Sequence, residues 1–181
     1  MDQFLRNKKP GEKADDNNKV ILEEETLLLI LDMQEKLISN IKENELLIFN
    51  IKKLIKTCNL LNVHIAITEQ NPLKLGKTLE SILEDKEYPI FEKMEFSCSK
   101  NKSFINYFKK YNFKNIIVCG IESHICILQT SIELLGKGLN ILIPKDAIGS
   151  RNEIDNDTAF LRLILSGAVA STTESIICEL C

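Results

Sequence analysis

Residues 26–32 read Thr26-Leu27-Leu28-Leu29-Ile30-Leu31-Asp32, an apolar run that halts at a carboxylate. A run without polar alternation is a strand buried on both faces, the kind found in parallel sheets. Downstream, residues 44–61 set Leu47, Ile51, Leu54, Ile55, Cys58 and Leu61 on one helical stripe. Strands follow at Val63–Thr68, Tyr88–Glu92, Asn115–Cys119, Leu139–Ile143 and Ala168–Ser171. Between them the pattern predicts a short helix at Gly76–Leu83, helices over 101–111, 124–136 and 156–166, and a last helix from Thr173. Strand and helix alternating about six times require crossover connections, hence an α/β domain of three layers, α/β/α, around a mostly parallel sheet. In such sheets ligands bind beyond the carboxyl ends of the strands, where strand order reverses.

The chain has 181 residues, 44% of them apolar, with 23 Lys and Arg against 26 Asp and Glu. That length suits one globular core with no disulfide or metal staple. Residues 1–24 are polar and aperiodic and are expected to form an N-terminal arm, leaving 25–181 as the domain. The first 19 residues carry nine charges of both signs and no apolar stretch of a secretory leader, so a cytoplasmic location is expected. No apolar run approaches the ~20 residues of a membrane span. A net charge of -3 gives no basic footprint for nucleic acid. The six cysteines read as free thiols in a reducing compartment.

Several sites are excluded by their motifs. No P-loop and no G-x-S-x-G elbow occur, and Gly136-Lys137-Gly138 follows a helix and precedes a strand, the wrong connection for a pyrophosphate. Cys178-x-x-Cys181 has no second ligand pair and reads as packing or capping of a terminal helix. His64 opens a strand, far from its carboxyl end, and reads as structural.

Three residues remain at strand ends. Taken singly, Asp32 reads as a turn cap, Lys93 between two glutamates as solvated surface, and Cys126 as a core thiol. Together they suit one reaction. A thiol in the first turn of a helix, with an ammonium beside it, is expected to favour thiolate. Asp32 can take the thiol proton and return it to a leaving amine, while Lys93 holds both anions in register. The backbone N–H groups of the Glu122–Cys126 turn lie where a tetrahedral oxyanion would form.

Asp32-Met33-Gln34 after a buried strand, Lys93 followed by Phe96-Ser97, and Gly120-Ile121-Glu122-x-x-x-Cys126 with Gln129-Thr130 resemble the isochorismatase-like cysteine hydrolases. The resemblance runs from about residue 26 to the C-terminus. Thr68-Glu69-Gln70-Asn71-Pro72, Leu75-Gly76, Asp146-Ala147 and Ser150-Arg151 are similar in particular to the isochorismatase domain-containing proteins. The resemblance implies a Rossmann-like, six-stranded parallel sheet and a catalytic triad of Asp32, Lys93 and Cys126. It also implies a cis peptide between Ile121 and Glu122, with the Glu122 and Cys126 amides as an oxyanion hole, and assembly into a homo-oligomer, a dimer or larger. Gln34, Glu69, Phe96 and His124 are candidate pocket residues.

Two departures from the family narrow the chemistry. Members that cleave isochorismate lack a thiol at the nucleophile position, so Cys126 points to hydrolysis of a small amide through a thioester. Nicotinamidase-like members carry an Asp-x-His metal patch in the segment matching Thr68-Glu69-Gln70-Asn71, where this chain has no histidine. No metal and no cofactor are therefore expected, and the partner is a small-molecule substrate. Two alternatives stand: a catalytically silent binding or scaffolding protein of the same fold, and a ribonuclease, which the net negative charge disfavours.

Overall fold

The computed structural model describes residues 23–83 and 86–181. The expected arm over 1–24 lies outside the described residues, apart from Glu23 and Glu24, which open a 3-10 turn at Glu23–Glu25. In chain order the elements are β1 (Thr26–Leu31), α1 (Glu35–Ile38), α2 (Asn44–Leu61), β2 (His64–Gln70), α3 (Pro72–Leu75), α4 (Glu80–Leu83), β3 (Ile90–Lys93), α5 (Lys102–Phe108) and β4 (Asn115–Ile121). They continue as α6 (Leu128–Leu135), β5 (Asn140–Pro144), β6 (Ile148–Gly149), α7 (Glu153–Leu165), β7 (Val169–Ser171) and α8 (Thr173–Leu180). The strands form one parallel sheet in the order β3-β2-β1-β4-β5-β7, with β6 beside β4.

β1 shows why the sheet is sandwiched. Every residue of it is buried, and successive side chains point to opposite faces. Leu28 and Ile30 join one core with Leu47, Ile51, Leu54 and Cys58 of α2 and Ile176 of α8. Leu27, Leu29 and Leu31 join the other with Phe104 of α5, Leu134 of α6 and Leu163 of α7. The three-layer reading therefore holds. His64 is held by rings, 4.2 Å from Tyr111 and 5.3 Å from Phe113 between centroids.

Three details differ from the expectations. Among the described residues the sheet has seven strands rather than six. β5 pairs with β4 only along Asn115–Ile117 before turning to β7, and the two-residue β6 takes the vacated edge at Gly120 and Ile121. The helix expected at Gly76–Leu83 is confined to α4: Gly76, at φ +84, ends α3, and Thr78 is drawn into a bridge with Gln34 before α4 begins at Glu80. The helix expected from residue 124 opens as a π-helical turn, Ser123–Ile127, and becomes α-helical at Leu128.

Candidate active site

The sheet order reverses between β1 and β4, and Asp32 and the 121–127 turn leave the carboxyl ends of those two strands. Gly120 lets them meet. It sits at φ +110 opposite Leu31, and a Cβ there would collide with the Leu31 carbonyl oxygen. Asp32 itself is left-handed, at φ 55, which turns the chain out of the sheet directly after the last residue of β1. Aspartate is among the residues that tolerate this region best.

Lys93 is the last residue of β3, two strands from β1, and its side chain crosses the end of β2 to reach Asp32. Its Nζ donates to Asp32 Oδ2 at 2.7 Å and to Gln70 Oε1 at 2.7 Å, and lies 3.4 Å from Cys126 Sγ. Asp32 Oδ1 accepts from Thr68 Oγ1 at 2.6 Å, so both carboxylate oxygens are engaged. Three side chains 94 positions apart in sequence thus form one hydrogen-bonded group. The Asp32–Lys93 ion pair is sealed from solvent, and Cys126 is buried beside it with 6% of its surface exposed.

The resting state of the sulfur departs from the expected thiolate. Burial, then the charge of Asp32 and its hydrogen bond to the thiol, push Cys126 well above the ordinary thiol range, and Lys93 only partly opposes them. These surroundings favour the neutral thiol over the thiolate.

The Ile121–Glu122 peptide is cis. Arg151 donates to Glu122 Oε2 through its backbone N at 3.1 Å and its Nε at 2.9 Å. The expected pocket residues divide. Gln34 is fully buried, exchanging bonds with Gln70 N and O and donating to Gly76 O, and Glu69 Oε1 accepts from Thr78 N and Oγ1. Both act as braces between segments. His124 turns to Ser150 Oγ, 2.9 Å from Nδ1, and away from any pairing with the thiol two residues on. Phe96 is 51% exposed on the loop after Lys93.

Sequence reasoning assigned no role to Thr68 or Gln70, the residues that complete the group. Gln70 is the last residue of β2 and in register with Lys93, so the rule that picked out Asp32 at a strand end also points to it.

The family described as Isochorismatase domain matches residues 26–175. Isochorismatase family protein 1B of Dictyostelium discoideum is 37% identical over 166 residues, spanning 88% of this chain and 80% of that protein. MAR1 ribonuclease from Caenorhabditis elegans superposes with a TM-score of 0.84 at 35% identity, over 90% of this chain and 84% of that one. The YcaC gene product of Escherichia coli, described as an octameric hydrolase of unknown specificity, shares the fold with a TM-score of 0.82 at 21% identity, over 96% of this chain and 84% of that one. The family match, the curated relative and the shared fold agree: the chain belongs to the isochorismatase-like hydrolase family.

Proposed function

We propose that this chain is a cysteine hydrolase that cleaves the C–N bond of a small amide with no metal or cofactor, through a thioester on Cys126. The observation that carries the reading is the buried contact of Lys93 Nζ with both Asp32 Oδ2 and Cys126 Sγ. As the sulfur attacks the amide carbon, its proton passes to Asp32, and charge moves onto the carbonyl oxygen. The Glu122 and Cys126 amides receive that oxyanion. Collapse breaks the C–N bond, and Asp32 gives its proton to the departing nitrogen. Water then attacks the thioester while Asp32 accepts a proton from it. The acid leaves, the proton returns to sulfur, and the sum is amide plus water to acid plus amine. Lys93 holds Asp32 in place through both halves, and its ammonium stabilises the sulfur as it loses its proton.

No helix among the described residues is long and apolar enough to cross a membrane. Ile154, Leu161 and Leu165 stand exposed on one face of α7, which supports a homo-oligomer. The test is a hydrolysis screen of small amides and esters run beside Cys126→Ala. The reading predicts turnover of at least one amide by the parent and none by the variant. A parent inert across the panel, with a Cys126→Ala variant that binds a panel member as the parent does, would establish the silent binding protein instead. The name of the Caenorhabditis elegans relative raises RNA as a second substrate. Salt-dependent binding of single-stranded RNA, followed by its cleavage, would support it against the charge of -3.

A further inference from the structure

Three consecutive residues of the turn that carries Cys126 are each tied to one short segment between β6 and the first turns of α7. Glu122 is held by Arg151, Ser123 Oγ donates to Asn156 Oδ1 at 2.7 Å, and His124 Nδ1 meets Ser150 Oγ at 2.9 Å. The ion pair among these joins unequal partners. The Glu122 side chain is 9% exposed, whereas that of Arg151 is 55% exposed. A nearly buried carboxylate therefore has its charge balanced by one guanidinium that reaches in from the surface, and it belongs to the residue whose own amide faces the oxyanion in the reading above.

We infer that Arg151 is a positioning residue that sets the oxyanion-binding turn, and that the inference rests on Cys126 being the nucleophile. Two physical effects act together. The paired backbone N and Nε donors fix the Glu122 side chain, and through it the direction of the adjacent amide. The guanidinium also cancels a carboxylate charge that would otherwise oppose the negative charge forming on the substrate oxygen, an opposition that low local dielectric makes large. Ser150 and Asn156 hold the next two residues of the turn, so the segment acts as a clamp of which Arg151 is the charged member.

The clamp can be read without knowing the substrate, by comparing two alkylating probes on the Cys126-containing peptide of the full chain. With acrylamide, the C–S bond forms at the β carbon and the π electrons move to the amide oxygen as an enolate. The proton released by sulfur ends on the α carbon. With iodoacetamide, the C–S bond forms as the C–I bond breaks, iodide leaves, the sulfur's proton passes to solvent, and the amide oxygen gains no charge. Arg151→Ala is expected to slow acrylamide addition to Cys126 about tenfold or more relative to iodoacetamide, the size of loss that follows when a reacting group is misplaced by a fraction of an ångström. Arg151→Lys, which keeps the charge without the Nε donor, should recover part of that ratio. A variant that merely loosens the fold would speed both probes together by exposing the sulfur, leaving the ratio unchanged, and that result overturns the inference. If Cys126 of the parent reacts with neither probe, the nucleophile reading falls and the clamp with it. If the parent reacts and the ratio survives Arg151→Ala, only the clamp falls.

Discussion

Asp32 and Lys93 form an ion pair that water does not reach, and removing one partner strands the other charge in the core. Lys93→Met should lower stability by about 3–5 kcal/mol, and Asp32→Leu combined with it should recover most of that loss. Urea denaturation of the two singles and the double measures the coupling; additive losses would mean that the pair is not buried in solution. The sulfur makes its own prediction. With its ionisation pushed above the ordinary range, the thiolate fraction keeps growing beyond pH 9, so Cys126 alkylation by iodoacetamide should climb about tenfold per pH unit there. A plateau by pH 8 would show that the thiolate already exists at rest. The positions of Asp32 after β1, Lys93 at the end of β3 and Cys126 in the turn after β4 were legible in the sequence. The protonation of the sulfur was not, since it depends on burial, and neither was the side-chain bond from Arg151 to Glu122, which forms only when β6 comes to lie beside β4.

Most elements are visible in periodicity, and the exceptions share a cause. β6 has two residues, too few for any pattern, and it exists because β5 leaves the end of β4 uncovered. The π-helical turn at Ser123–Ile127 has the same composition as an α-helical start, so spacing alone cannot distinguish them. Asp146 shows how one side chain places a whole helix. Its Oδ1 accepts from Thr173 N at 2.8 Å and Thr173 Oγ1 at 3.0 Å at the first turn of α8, while its carbonyl accepts from the buried Asn50 of α2. Asp146→Ala leaves the Thr173 donors without their acceptor and should cost about 1–3 kcal/mol. Thermal denaturation checks this, and an unchanged midpoint would mean that α8 is held by Ile176 and Leu180 alone.

The two cores enclose the thiols of Cys58, Cys98 and Cys119, and with Cys126 they make four cysteines whose ionisation burial opposes; Cys58 and Cys98 are both pushed up to about 12. In the unfolded chain these groups return to about 8.5. Between those values the unfolded state has released protons that the folded state retains, so stability is full below the unfolded value and falls as pH rises above it. Each thiol then contributes a slope of about 1.4 kcal/mol per pH unit. The denaturant midpoint should hold between pH 7 and 8 and decline steadily from 9 to 10.5; a flat profile would place these thiols in contact with water. For the molecule as an enzyme, the decisive measurement is acid-quench mass spectrometry of the parent during turnover of the best amide from the hydrolysis screen. The account predicts an acyl mass increment confined to the Cys126 peptide, formed before free acid appears and absent in Cys126→Ala. Amide cleavage that persists in Cys126→Ala would contradict it.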